Sequence, residues 1–68
     1  MARQLKYWVY GEYGGRFSNI KDARECAKFA SMTEEHDYRS SVTLIADGCH
    51  YIDYENGKCT RDGWRVKR

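Results

Sequence analysis

Two dipeptides, Asp47-Gly48 and Asn56-Gly57, punctuate the stretch "SSVTLIADGCHYIDYENGKCT" and constrain the fold more than any other feature of the chain. Both suit a two-residue type I′ turn, whose two central positions need a positive φ that Asn, Asp and Gly adopt at least cost. The flanking segments alternate apolar and polar types, so the stretch reads as consecutive antiparallel strands. A two-residue turn at 47–48 pairs Ala46 with Cys49, Leu44 with Tyr51 and Val42 with Asp53. Paired residues share a face. Val42, Leu44, Ala46, Cys49 and Tyr51 are therefore expected on an inner face, with Asp53 near its edge. Thr43, Ile45, His50, Ile52 and Tyr54 are expected on the outer one. A turn at 56–57 sets Cys59 opposite Tyr54 and Arg61 opposite Ile52. Asp62-Gly63 is a third such pair, separated from Gly57 by only four residues. Either 58–61 is a short strand, or the last strand bends there and continues as "WRVKR".

Upstream, "QLKYWVY" (4–10) is rich in β-branched and aromatic residues and reads as a strand. Leu5, Tyr7 and Val9 face one way, Lys6, Trp8 and Tyr10 the other. Gly11, Gly14 and Gly15 interrupt it, and "EYGGR" reads as a loop. "SNIKDARECAKFASMTEE" reads as a helix ending in the "TEEHDYR" region. Ser18 or Asn19 can cap its N-terminus, and Asp22 suits the first turn of the helix dipole. Ile20, Ala23, Cys26, Ala27 and Ala30 form one face, with Phe29 at its margin. Most of these are small, so the helix can lie close against a sheet. Lys21, Arg24 and Lys28 gather on the opposite side. The fold class is α+β, in the order β-α-β-β(-β), with one helix packed on a small, mostly antiparallel sheet that tolerates one wet face.

The 68 residues form a single domain, 1–68, with no repeat or linker. A chain this short buries only about 60% of its unfolded surface, so it cannot both fill a core and hold a deep cavity. A binding module is expected before an enzyme. No apolar run is long enough to span a membrane and no signal peptide is read at the N-terminus, so a cytoplasmic protein with reduced thiols is expected.

The chemistry-bearing residues support no catalytic assignment. Cys26, Cys49 and Cys59 include no C-x-x-C pair and read as small hydrophobes. Cys49 and His50 are adjacent on a strand and point to opposite faces, which defeats both a nucleophile pair and a zinc site. Glu34, Glu35, Asp37, Asp47, Asp53 and Glu55 read as solvated carboxylates, or as an acidic segment that docks on a basic protein surface. "GEYGGR" lacks the phosphate-loop spacing. No catalytic residue, metal or cofactor is assigned.

Charge is segregated more than the net +2 suggests. Residues 1–33 carry +3, residues 34–56 carry −5 and residues 57–68 carry +4, an asymmetry that bears on partners rather than fold. The outer sheet face offers Trp8, Tyr10, Ile45, His50, Ile52 and Tyr54, beside Arg61, Arg65 and Lys67 of the C-terminal segment. This mix of aromatic, aliphatic and Arg side chains is that of interface hot spots. Trp64 and Val66 are expected to cover the core, with Arg65 and Lys67 facing out. In size, absence of motifs and segregated charge, the chain is similar to small phage or mobile-element proteins that inhibit host defence machinery by occlusion, such as anti-CRISPR proteins. The expected function is a non-enzymatic protein-binding module acting by docking on and occluding a macromolecular partner, with a nucleic-acid-handling enzyme as one candidate. The alternative is a small nucleic-acid-binding domain that uses the basic C-terminal strand and the helix cations, although RNP1, KH and helix-turn-helix signatures are absent.

Overall fold

A computed structural model describes residues 5–63. The elements are β1 (Tyr7–Val9), β2 (Gly15–Phe17), α1 (Ile20–Ala30), a 3-10 turn (Glu34–His36), β3 (Arg39–Leu44), β4 (Cys49–Glu55) and β5 (Lys58–Asp62). The five strands form one antiparallel sheet in the order β2-β1-β3-β4-β5, and α1 lies on one face of it. The α+β class read from the sequence is the observed one.

The helix starts where its cap dictates. The Asn19 side chain accepts the Asp22 N–H at 2.9 Å and leaves the following residues free to wind. Ala23, Ala27 and Ala30 are fully buried, with Ile20 and Cys26 packed beside them. Against them stand Val9, Val42, Ile52 and Tyr54 from the sheet, flanked by Tyr7, Phe17 and Tyr51. Val9, Val42 and Ile52 are completely buried, each worth about 1.5–3 kcal/mol of transfer free energy. The helix ends at Ala30, earlier than the helical pattern suggested, and the acidic residues beyond it form the 3-10 turn instead.

The glycine-rich segment is only partly a loop. Residues 11–14 turn the chain, and Gly15–Phe17 pairs back on β1, with Tyr7 opposite Phe17 and Trp8 opposite Arg16. Gly14 is obligatory here, since a Cβ would stand 1.7 Å from the Val9 carbonyl oxygen.

The β3–β4 connection departs from the expected turn in two ways. Leu44, not Ala46, pairs with Cys49, so residues 45–48 form a four-residue loop. The ladder then runs Thr43 to His50 and Val42 to Ile52, leaving Tyr51 as the extra residue of a β-bulge. From that point the faces invert. Ile52 and Tyr54, expected outside, are core residues, while Asp53 is on the face away from the helix. Ala46 and Cys49, expected inside, are exposed. The physical reason lies in the sequence "YIDYE". Without the bulge Asp53 and Glu55 would point at the helix, and burying carboxylates costs far more than the irregularity.

The second turn is the expected one. Asn56 and Gly57 have φ of 53° and 81°, and Glu55 pairs directly with Lys58. Cys59 lies opposite Tyr54 as read. A further irregularity at Thr60 then brings Arg61 opposite Asp53 rather than Ile52. Strand β5 ends at Asp62, so 58–62 is a strand in its own right. Trp64, Arg65, Val66 and Lys67 lie outside the described residues.

Candidate functional site

With α1 on one side, the other face of the sheet is left open, and the pairings order its side chains in rows. The first row runs Arg16, Trp8, Thr43, His50 across β2, β1, β3 and β4. The second runs Ser41, Asp53, Arg61, and the third Arg39, Glu55, Lys58. Residues of one row lie about 5 Å apart, so each row is a continuous strip of contacts.

Trp8 is the anchor of the first row. It is half-buried although it faces away from the helix, because its neighbours fold around it. Tyr10, two residues on and 71% exposed, meets the indole edge-to-face at 5.3 Å. The Arg16 guanidinium lies over the indole ring, 5.7 Å from its centroid. Thr43, next in the row, is buried against the same surface. A large aromatic held in one orientation loses little entropy when a partner covers it.

The second row is held by polar contacts. The Ser41 hydroxyl donates to Asp53 at 2.7 Å, and the Arg61 guanidinium stands 3.6 Å from the other oxygen of that carboxylate. Arg61 also donates to the His50 carbonyl, tying the end of the row to the first one. Asp53 is thus a positioning group on the open face rather than a buried acid.

A groove of about 640 Å³ runs over this face. Trp8, Tyr10, Thr43 and His50 form its floor, and Arg39 with Glu35 and Asp37 form its far end. The 3-10 turn reaches that end because His36 docks the loop between β1 and β2. Its Nε2 accepts the Tyr13 N–H at 3.0 Å, its ring stacks on Tyr13 at 5.9 Å, and Gly11 sits so close to it that a Cβ would collide. Asp37 and Tyr38 follow with φ of 54° and 60°, two consecutive left-handed residues without a glycine. Such backbone is costly and turns the chain sharply from the 3-10 turn into β3.

Of the residues assigned to a partner surface from sequence, Trp8, Tyr10, His50 and Arg61 share the open face. Ile45 is 40% exposed in the β3–β4 loop, tied to β1 by its N–H to the Lys6 carbonyl rather than standing on a strand. Ile52 and Tyr54 belong to the core. Arg65 and Lys67 lie outside the described residues. Thr43 is on the outer face as expected, and Glu35 and Asp37 of the acidic segment reach the groove. Arg16, Arg39 and Ser41 are the members of this face that the sequence reading does not place there. Arg16 could be placed only once "GRF" was known to be a strand.

Arg24 does not stand free with Lys21 and Lys28. It is half-buried at the seam of helix and sheet, donating to the Tyr54 hydroxyl at 3.0 Å and pairing with Asp62 at 3.4 Å. The hydrogen bond to Tyr54 is the main reason its pKa lies above the usual arginine value, with the nearby Asp62 carboxylate adding to it. Cys26 is the one cysteine against the core. Burial pushes its thiol pKa up, and the thiol donates to the Tyr13 carbonyl at 3.2 Å, so it is a poor nucleophile. Among the described residues no three His, Cys, Asp or Glu side chains are grouped to hold a metal ion. No helix there is long and apolar enough to cross a membrane. No protein-family model, curated protein or solved structure matches the chain.

Proposed function

We propose that this chain is a non-enzymatic protein-binding module that docks through the open face of its sheet and acts by occluding its partner. The observation that carries this reading is Trp8, pre-positioned between Arg16 and Tyr10 over a groove of mixed charge. Buried aromatics flanked by Arg, with a polar rim, are the composition of interface hot spots. The molecule measures 35 × 30 × 18 Å, so its broad side can supply the ~800 Å² per partner of a standard protein interface.

Charge favours protein over nucleic acid at this face. Arg16, Arg39, Lys58 and Arg61 are matched by Asp53, Glu55, Glu35 and Asp37. A phosphate backbone would meet as many carboxylates as cations, whereas a protein surface can match both signs. The partner in this reading is a nucleic-acid-handling protein of a host cytoplasm. The chain would act as small phage or mobile-element inhibitors do, by covering a surface rather than by chemistry.

The test is affinity capture from nuclease-treated lysate by the wild-type chain and by Trp8→Ala, with thermal melts of both. The expected result is loss of the captured protein at a melting temperature within a few degrees of wild type. Capture that survives Trp8→Ala, or that falls only in step with stability, overturns the reading.

A further inference from the structure

The groove on the open face joins two regions of different chemistry. Trp8 and Tyr10 line it with ring planes at 84° and centroids 5.3 Å apart, so they form a corner of two π surfaces. Its far end carries the carboxylates of Glu35 and Asp37. Both side chains are exposed, and neither makes an ion pair among the described residues. His36, between them in sequence, packs against Gly11, the neighbour of Tyr10, and so holds the acidic end beside the aromatic corner. The lining also includes Arg39, which lies opposite Glu55 in the β3–β4 pairing and has that carboxylate beside it. Two carboxylates against one arginine, with His36 and His50 neutral, leave one net negative charge among the described residues of the lining.

On the reading that this face docks a protein, we infer that the group the groove receives is an arginine side chain of the partner. The charge matches, since one guanidinium offsets the one net negative charge of the lining. The ring surfaces match as well. Arg16 lies over the indole, 5.7 Å from its centroid, yet does not line the groove, so Trp8 presents to the groove a side that Arg16 leaves uncovered. One guanidinium already rests on this indole from the β2 side, and a second can approach it from the groove in the same manner. A planar guanidinium stacks on a ring and keeps its N–H edge free to donate to carboxylates, which a compact, strongly hydrated ammonium does less well. A carboxylate in the same place would be repelled by Glu35 and Asp37, and an apolar side chain would cover them without pairing them. The turn that sets Asp37 in place is strained, with φ of 54° at Asp37 and 60° at Tyr38, and strain of this kind gathers at ligand-binding sites.

The experiment is an NMR titration of the isotope-labelled full chain with a capped Gly-Gly-Arg-Gly-Gly peptide. The same peptide carrying citrulline, the neutral isostere of arginine, or lysine in the central place is titrated beside it. The arginine peptide is expected to shift the Trp8 indole N–H and the backbone amides of Glu35 and Asp37 saturably. A dissociation constant of about 10 mM suits one side chain taken without its protein. The citrulline peptide is expected to bind ~10-fold more weakly and the lysine peptide ~3-fold more weakly. Glu35→Gln/Asp37→Asn removes charge but little shape, and Asn tolerates the left-handed backbone at position 37, so its melt should match wild type. That variant is expected to lose ~5-fold in affinity for the arginine peptide. Absence of saturable shifts, citrulline or lysine binding as tightly as arginine, or a carboxylate variant that binds like wild type each overturns the inference. Capture from lysate separates this failure from that of the docking reading. If Trp8→Ala loses its captured protein while the arginine peptide fails to bind, the docking face stands and the arginine is wrong. If capture survives Trp8→Ala, the docking reading falls and the partner's arginine falls with it.

Discussion

The turns at Asp47-Gly48 and Asn56-Gly57 are written in almost the same residues and do different things. At 56–57 the chain makes the two-residue turn that the pair favours, and that turn is docked. The Asn56 N–H donates to the carbonyls of Ser31 and Tyr38 at 3.1 and 3.0 Å, and the Gly57 N–H to the Ser31 hydroxyl at 2.9 Å. Ser31 is fully buried at the end of α1, and its hydroxyl donates a hydrogen bond to the Lys28 carbonyl at 2.8 Å. At 47–48 the turn is longer, and beyond its own strands it is tied down only by the Ile45 N–H to the Lys6 carbonyl among the described residues. Gly48 has open space around it, and the Asp47 side chain accepts the Cys49 N–H at 3.0 Å. A turn dipeptide specifies that the chain reverses. The number of residues that reverse it is set by what the flanking strands must bury.

That difference decides the functional face. The longer loop alone slides β4 by two residues, which keeps every side chain on its expected face. The bulge at Tyr51 adds one residue, which swaps them from Ile52 onward. Tyr51 and Ile52 then both pack on the core, and Asp53 and Glu55 turn outward to join Trp8, Ser41 and Arg61.

The largest expected effect tests the swap itself. Ile52→Ala should destabilise the fold by about 2–5 kcal/mol in urea unfolding, whereas Ile45→Ala, four-tenths exposed in the loop, should cost under about 0.5 kcal/mol. Near-equal losses would return Ile52 to the surface. Next comes the docked turn. Ser31→Ala orphans the Gly57 N–H at a part-buried site and should cost about 1–3 kcal/mol, while Asp47→Ala, which removes a solvent-exposed bond, should cost about 0.5–1 kcal/mol. A reversal of that order would mean that the two turns are equally free. Smallest is Ser40→Ala. The Ser40 hydroxyl is buried opposite Tyr54 with no hydrogen-bond partner among the described residues, so its removal should leave stability unchanged or slightly higher.

Cys26 adds a pH dependence. Its folded pKa is raised by burial, so the folded state holds the thiol proton more tightly than the unfolded chain does. The resulting stability is intact below the ordinary thiol range and is lost as pH rises through the raised value. Melts at increasing alkaline pH should therefore fall less steeply for Cys26→Ala than for wild type. In iodoacetamide labelling of the native protein, Cys49 and Cys59, which are exposed, should react before Cys26.

Much of this fold is visible in the residues. Asn19 signals the helix start, the Ala23, Ala27 and Ala30 spacing signals its buried face, and the alternation of Tyr7, Trp8 and Val9 places the indole outside. Strand β2 escapes because three residues after a glycine pair carry no periodicity of their own. It exists because β1 offers an edge. The bulge escapes because "HYIDYE" alternates without a break, and only the carboxylate of Asp53, which strict alternation puts on the inner face, signals the shift. Part of the candidate site follows from those two features. Arg16 enters through β2, Asp53 and Glu55 enter through the bulge, and Arg61 keeps its expected side only because the irregularity at Thr60 sets it opposite Asp53.

The register of β3 against β4 is therefore the point on which the account rests, and cross-strand NOEs in the isotope-labelled chain measure it directly. Contacts from Val42 to Ile52 and from Thr43 to His50 are expected, with Ile52 also close to Ala27 or Ala23. Contacts from Val42 to Asp53 instead would place Ile52 and Tyr54 on the open face and contradict the surface described for Trp8.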